Sequence, residues 1–137
     1  MRIGIVGHEA AKFTAETEAQ ARWIIRSLLT GADIVVSGRC HLGGIDVWAE
    51  DEAAALGLGT DIFPPATHTW ATGYKPRNLK IAQHSDIVHC IVVATYPPGY
   101  DGMRFNYCYH CKTSDHIKSG GCWTALRCER RQWHVIP

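Results

Sequence analysis

The chain lacks any apolar run of the roughly 20 residues that a membrane-spanning helix needs. Its first residues also lack the basic stretch and long apolar segment of a secretory signal peptide, and they lead directly into RIGIVG. We therefore expect a cytoplasmic protein without a membrane partner. In a reducing compartment, cysteines that cluster with histidines indicate metal binding rather than disulfides.

Charge is also scarce and nearly balanced. Charged residues make up 20% of the 137 residues, and the formal net charge is +1. Nucleic-acid-binding domains usually carry a basic excess or a basic face, so the composition disfavours extended contact with phosphate backbones. The composition does not exclude a small basic patch on the surface. With 46% hydrophobic residues and no internal repeat, residues 1–137 are predicted to form one domain with an ordinary core.

Several functional motifs are missing. The chain contains neither the GxxxxGK[ST] of a P-loop nor the GxGxxG of a dinucleotide-binding fold, since Gly4 and Gly7 are spaced differently. No Ser-His-Asp set and no catalytic spacing of two carboxylates stands out, so no catalytic residue is assigned. Asp46 and Glu52 stay as candidates for a general acid or base in a glycosidic cleavage.

What the chain does have is a regular alternation of strands and helices. Short apolar runs predict strands, and stretches with an apolar stripe at helical spacing predict helices, the first of them capped by Thr14. The pattern predicts a Rossmann-like α/β domain whose mostly parallel five-stranded sheet has helices on both faces. The predicted strands are residues 2–7, 32–38, 60–65, 86–94 and 132–137, and the predicted helices are residues 14–30, 45–57, 76–85 and 119–131.

Two predicted strand-to-helix turns are rich in glycine: SGRCHLGGID, residues 37–46, and KSGGCWTA, residues 118–125. Glycine lets a ligand approach the peptide N–H groups, and a helix N-terminus offers unpaired donors, so such turns can bind phosphate. Ordinary tight turns are the alternative, but two such turns at one predicted sheet edge favour phosphate binding. The candidate binding residues at this edge are Gly7, His8, Ser37, Gly38, Gly43, Gly44, Asp46, Lys118, Ser119, Gly120, Gly121 and Thr124.

A cysteine–histidine cluster overlaps the second turn. Its spacing is C-x2-C-x4-H-x5-C, formed by Cys108, Cys111, His116 and Cys122. Thiolate and imidazole ligands at this spacing suit tetrahedral Zn²⁺, and four protein ligands indicate a closed structural site. The metal would supply folding free energy to a loop insertion at residues 95–122, which precedes the last helix and has few aliphatic side chains. His110 and Cys128 are reserve ligands, and a set of free thiols is the alternative.

The other cysteines and the aromatic residues receive simpler interpretations. Cys40 and Cys90 are interpreted as buried small apolar residues, and Trp48 and Trp123 as core residues on helices. The remaining aromatic side chains fall on or near loops at the predicted cleft, where their faces could stack on a base. They are Trp70, Tyr74, Tyr96, Tyr100, Tyr107 and Tyr109.

Three segments resemble the Rossmann-like domain of the DNA-processing protein A family, DprA/Smf, within the wider SLOG superfamily. VVSGRCHLGGIDVWAEDEA is similar to the family pattern SGxARGIDxxAHxxA, with two extra residues in the loop. KPRNLKIAQHSDIVHCIVVA resembles PRRNRIIAxLSDxVLVVEA, and KSGGCWTALRCERRQWHVIP resembles KSGSLITAxxAxExGRxVFAVPG. The three matches follow the same order and span most of residues 35–137.

The resemblance implies a nucleotide or nucleotide-derived phosphate ligand, held by the two turns together with Arg77 and Asn78. Arg77 can fork onto a phosphate, whereas Asn78 and Asp46 can fix a sugar hydroxyl or a base edge, or simply cap helices. The superfamily also includes phosphoribohydrolases of the LOG type, which carry PGGxGTxxE. Here Arg127 stands at the position of that Glu, so the resemblance predicts binding without fast turnover.

Three functional hypotheses remain open at this point. The first is a stand-alone SLOG-type domain that binds a nucleotide and carries a structural zinc. The second is a nucleoside-phosphate N-glycosidase, and the third is single-stranded DNA binding as in DprA. Association of the chain into a homo-oligomer also stays open.

Overall fold

Five parallel strands form one sheet, as the alternating pattern predicts, and their order in the sheet is β3-β2-β1-β4-β5. The structure is a computed structural model that describes residues 1–137. The strands are β1 (Arg2–Gly7), β2 (Ile34–Ser37), β3 (Gly59–Ile62), β4 (Ile87–Val93) and β5 (Arg131–Ile136). The helices are α1 (Ala15–Leu29), α2 (Ile45–Ala55), α3 (Lys75–His84) and α4 (Gly120–Ala125).

The helices cover both faces of the sheet. Helices α1 and α2 share one buried cluster with Ile5 and Ile91 of the sheet, while α3 and α4 share the other with Val36 and Val92. Strand residues are buried on both sides because the parallel sheet is sandwiched between two helical layers. None of the helices combines the length and the apolar character required to cross a membrane.

The predicted cap of α1 is confirmed. Thr14 Oγ1 accepts the backbone N–H of Thr17 at 3.1 Å, and Thr17 Oγ1 accepts the N–H of Thr14 at 2.8 Å, which forms a reciprocal capping box. Two N–H groups that the helix itself cannot satisfy are thereby bonded. The helix then buries the apolar stripe Ala21, Ile25 and Leu29 against the sheet.

The strand order places a topological switch point between β1 and β4. The chain builds outward from β1 through β2 to β3, and then returns to the opposite side of β1 to add β4 and β5. Gly7 at the end of β1 pairs with Ile91 near the end of β4. In open parallel sheets of this kind, the crevice beyond these two carboxyl ends is where ligands bind.

Two local features differ from the sequence prediction. Helix α4 covers only Gly120–Ala125, and residues 126–128 continue as tight turns, because β5 must already pair Arg131 with Val88. The segment before α3, predicted as loop, forms a π-helical turn at Trp70–Tyr74 that runs directly into α3. This turn carries two aromatic side chains toward the switch point.

Candidate functional site

A cavity of about 650 Å³ lies beyond the carboxyl ends of the strands, beside the switch point. Its wall joins the end of β1, the loop between β2 and α2, the first turn of α3, the insertion and the start of α4. The cavity is lined by many of the residues that the sequence singled out: Gly7, Gly43, Asp46, Arg77, Asn78, Lys118, Gly120, Gly121 and Thr124. These residues come from four separate segments of the chain, so the fold brings the two glycine turns and the α3 motif to one place.

His8 lies beside the cavity but does not line it. Its side chain is 2% exposed, its Nε2 lies 3.0 Å from the Lys118 carbonyl oxygen, and its Nδ1 accepts the Val93 N–H at 3.1 Å. Burial lowers the pKa of His8 to about 4, so the ring is neutral at pH 7. A ring with both nitrogens occupied in this way ties the end of the insertion to the sheet and offers nothing to a ligand.

Four other candidate residues have supporting positions. Ser37 is fully buried and its hydroxyl donates to the Asp46 carbonyl at 3.0 Å, while Ser119 caps α4 by accepting the Gly121 N–H at 3.1 Å. Gly38 contacts Arg77 so closely that a Cβ there would overlap the guanidinium. Gly44 precedes α2 with φ of 86°, a left-handed conformation that favours glycine. These four residues therefore shape the cavity wall, and none of them is expected to make the main contacts with a bound molecule.

The two glycines of the second turn have different reasons to be glycine. A Cβ on Gly121 would lie 2.7 Å from the backbone nitrogen of Gly7, so close packing between α4 and β1 requires glycine there. A Cβ on Gly120 would meet no protein atom within 4 Å, and Gly120 is exposed and lines the cavity. Gly121 is therefore required for packing against β1, whereas the backbone at Gly120 is accessible to a ligand in the cavity.

Asp46 and Arg77 form the most buried charged pair of the cavity. Asp46 Oδ2 lies 3.8 Å from Arg77 Nη1 and accepts the Cys40 N–H at 3.2 Å. Arg77 also donates from Nη1 to the Gly38 carbonyl at 2.5 Å and from Nε to Asn78 Oδ1 at 2.7 Å. Burial raises the pKa of Asp46 to about 6, and the Arg77 charge opposes this only in part. Asp46 is thus a carboxyl group that exchanges a proton near neutral pH.

Glu52, the other acid that the sequence named, lies outside the cavity. It is 6% exposed and its carboxylate pairs with Arg26 of α1 at 2.8 Å. Glu52 therefore connects α1 and α2 on the far side of α2 from the cavity. The structure leaves Asp46 as the single acid of the two that a ligand in the cavity could reach.

Lys118 supplies a cation whose ammonium makes no hydrogen bond to the protein. Its Nζ lies 5.6 Å from the ring centroid of Phe105 and 5.8 Å from that of Tyr109, both in the insertion. These aromatic faces hold the lysine at the cavity wall through cation–π contacts and leave its donors open. An anion in the cavity would find this charge next to the open glycine, Gly120.

Aromatic side chains form the outer part of the cavity, and the sequence located only some of them. Trp70, Tyr74 and Tyr109 line it as predicted, and Trp48 is buried in the core as predicted. Trp123 is a correction, because it lines the cavity and meets Trp70 edge to face with ring centroids 4.9 Å apart. Trp123 sits one residue after a buried cysteine on α4, so the helix turns its ring toward the opening.

Cys40 is a second correction. The sequence favoured a buried apolar role for Cys40 and Cys90, and Cys90 is indeed fully buried. Cys40 instead is half-buried and lines the cavity, where burial raises the pKa of its thiol. The raised pKa keeps Cys40 in the thiol form at neutral pH and makes it a weak nucleophile.

The predicted metal ligands converge on one point. The ligand atoms of Cys108, Cys111, His116 and Cys122 all lie within 4.8 Å of one another, and none of these cysteines forms a disulfide. This group can hold a metal ion. The two reserve residues lie elsewhere, since His110 lines the cavity and Cys128 contacts the Ser85 carbonyl at the end of α3.

Local backbone structure arranges these ligands. Cys108 and Thr113 pair as a short antiparallel bridge, and Lys112 closes the turn in a left-handed conformation with φ of 56°. This tight turn brings Cys108 and Cys111 to the same side. His116 Nδ1 lies 2.9 Å from the Ile117 carbonyl, which leaves Nε2 as the ligand atom.

The electrostatics of the group also favour a cation. Burial opposes ionisation of Cys108, but the N–H groups of Cys111, Ser119 and His110 directed at its sulfur lower the pKa of the thiol. Contact with Cys90 and burial raise the pKa of Cys122, and burial with the neighbouring Cys122 raises that of Cys111. Cys111 and Cys122 therefore stay protonated unless a cation lies among the three sulfurs, and a metal ion would provide that charge.

No family model, curated protein or solved structure matches this chain. The function is therefore argued from the cavity and the metal ligands themselves.

Proposed function

We propose that the chain binds a nucleotide, or a phosphate ligand derived from one, in the cavity at the switch point. The observation that carries this proposal is the combination of groups in a single turn. Lys118, Gly120 and Trp123 offer a cation, an open backbone and an aromatic face within six residues, and all three line the same cavity. A phosphate suits the first two groups and a base suits the third.

The resemblance of three sequence segments to the DprA/Smf domain of the SLOG superfamily supports the same proposal. Two of those segments contribute the glycine turns, and the third contributes Arg77 and Asn78, so residues from all three segments line the cavity. The doubly wound sheet order is compatible with that resemblance. We propose membership of this superfamily on these grounds.

We further propose that the cysteine–histidine group binds Zn²⁺ as a structural ion. A tetrahedral zinc with bonds of about 2.0–2.3 Å places its ligand atoms about 3.3–3.8 Å apart, which agrees with a group whose atoms all lie within 4.8 Å. Three cysteines and one histidine leave no ligand position for a substrate, so the ion would stabilise the insertion and take no part in chemistry. Trp133, whose Nε1 donates to Cys122 Sγ at 3.4 Å, would orient one ligand.

The proposal is for binding without fast turnover. Arg127, which stands where the hydrolase relatives carry a catalytic Glu, is exposed and lies over the Trp123 ring at 3.8 Å. An arginine cannot accept a proton or stabilise a developing cation as a carboxylate does. Nucleotides should therefore raise the melting temperature of the zinc-loaded protein but release no free base. Rapid release of base from a nucleoside monophosphate would favour the N-glycosidase alternative, with Asp46 as the acid.

Replacing Lys118 should weaken nucleotide binding. Lys118→Ala removes the cation at the cavity wall, so we expect a loss of about 1.5–3 kcal/mol, the range for a hydrogen bond to a charged group. Lys80→Ala is the matched control, because Lys80 is exposed on α3 and does not line the cavity. Calorimetric titration with nucleoside monophosphates measures the affinity of each variant. Equal affinities for Lys118→Ala and Lys80→Ala would contradict the proposed position of the phosphate at Lys118.

Gly120→Ala provides a test that separates packing from binding. Since a Cβ at this position meets no protein atom, the variant should fold normally and gain up to about 1 kcal/mol from the higher helix propensity of alanine. The added methyl group would enter the space near Lys118, so nucleotide affinity should fall. Thermal melts and titrations of the same sample give both quantities. An unchanged affinity would show that the ligand does not approach this turn.

A further inference from the structure

The most deeply buried polar residues that line the cavity form a group to which the proposed positions of the phosphate and the base assign no role. We propose that this polar floor, made of Asp46, Arg77, Asn78 and Thr124, binds the vicinal hydroxyl groups of a ribose. The site would then select ribonucleotides over deoxyribonucleotides. This inference rests on the proposed nucleotide binding and adds to it the class of sugar.

Each residue of the polar floor is buried and yet keeps a polar atom without a protein partner. Their exposed fractions are 9% for Asp46, 8% for Arg77 and Asn78, and 1% for Thr124. Asp46 uses only Oδ2, toward Cys40 and Arg77, and Arg77 uses Nε and Nη1. Asp46 Oδ1 and Arg77 Nη2 make no hydrogen bond to the protein, both residues line the cavity, and neither atom is fully buried.

Asn78, next to Arg77 on α3, and Thr124 on α4 repeat this arrangement. Asn78 Oδ1 accepts from Arg77, whereas its Nδ2 donates to no protein group. The Thr124 hydroxyl has no protein partner either, and it too is not sealed. Polar groups this deeply buried nearly always have hydrogen-bond partners, so the polar floor is built to receive them from a bound molecule or from water.

A sugar hydroxyl matches the polar floor better than the other parts of a nucleotide. A hydroxyl both donates and accepts, so it can donate to Asp46 Oδ1 while it accepts from Asn78 Nδ2 or Arg77 Nη2. A phosphate only accepts, and it would face the Asp46 carboxylate, which repels it. The base has aromatic rings of its own at Trp70 and Trp123, which meet edge to face, and the phosphate has Lys118.

The test compares matched sugars by calorimetric titration of the zinc-loaded protein. The probes are the four common nucleoside 5′-monophosphates and their 2′-deoxy counterparts, with inorganic phosphate as the reference. Because the lost contact involves a charged group, each deoxynucleotide should bind about 10- to 100-fold more weakly than its ribonucleotide. In Asp46→Asn, which keeps the shape and an acceptor for the Cys40 N–H, this ratio should fall to within a few-fold of one.

Asp51→Asn is the control, since Asp51 is an exposed carboxylate of α2 that does not line the cavity, and it should keep the full ratio. Equal affinities for ribo- and deoxynucleotides in the unaltered protein would overturn the sugar assignment and leave nucleotide binding standing. A ratio that survives in Asp46→Asn would overturn the role of the polar floor. Failure of every nucleotide to bind would overturn both proposals.

Discussion

Removal of the metal is expected to unfold the insertion and abolish nucleotide binding in the same step. The ion would hold a segment that contributes Ile117 and Cys108 to the buried clusters and little else that is aliphatic. Structural zinc binding is worth about 10–16 kcal/mol in small zinc-binding peptides, far more than such a segment can supply for itself. Tyr109, His110 and Lys118 lie between metal ligands in the sequence and line the cavity, so the cavity wall should be lost with the ion.

Two cysteine variants make this prediction specific. Cys108→Ser should lose stoichiometric metal, whereas Cys128→Ser, which alters a buried thiol outside the ligand group, should keep one zinc per chain. Elemental analysis gives the metal content. Hydrogen exchange should show fast exchange of residues 108–119 in the metal-free protein while the central strands stay protected. Unchanged protection and unchanged nucleotide affinity after chelation would contradict a structural role for the metal.

Asp46→Asn should stabilise the protein at pH 8 while weakening its binding of ribonucleotides. Burial raises the pKa of Asp46 from 3.8 to about 6, so the folded state binds this proton more tightly than the unfolded chain does. Stability from this group is greatest below pH 4 and is lost as the pH rises through 6. At pH 8 the buried charge costs about 3 kcal/mol, since one pKa unit corresponds to about 1.4 kcal/mol, and asparagine removes that cost.

Denaturant unfolding at several pH values checks this linkage. The free energy of unfolding of Asp46→Asn relative to the unaltered protein should be highest at pH 8 and should shrink as the pH falls to 5. Asp51→Asn removes a surface carboxylate that pairs with Arg22 at 3.3 Å, and it should cost no more than about 1 kcal/mol. A loss of stability in Asp46→Asn that is larger at pH 8 than at pH 5 would mean that the ionised carboxylate supports the fold, and would contradict this account. A residue that lowers stability yet lines a cavity is typical of binding sites.

Hydrophobic periodicity was sufficient to predict the sheet and the helices that face it. The apolar stripe of α1, its Thr14 cap and the apolar runs of β1 and β4 are local patterns, and each recurs in the structure. The ligand spacing of the cysteine–histidine cluster is also local. It therefore predicted, without any knowledge of the fold, a group of residues that can hold a metal ion.

Local sequence patterns could not predict the parts of the site that depend on the direction of individual side chains. His8 occupies the predicted strand end, but its ring turns inward to the Lys118 and Val93 backbones. Trp123 and Cys40 looked like core residues because their types usually are, yet their positions after turns direct them to the cavity. The difference between Gly120 and Gly121 depends on contact with Gly7, which is distant in the sequence.

A crystal structure of the zinc-loaded protein grown with a nucleoside 5′-monophosphate tests the central claim most directly. The proposal predicts density in the cavity, with the phosphate at Lys118 and Gly120, the ribose hydroxyls on Asp46 and Asn78, and the base against Trp123. A nucleotide bound elsewhere, or a cavity that holds only solvent at a saturating nucleotide concentration, would contradict it.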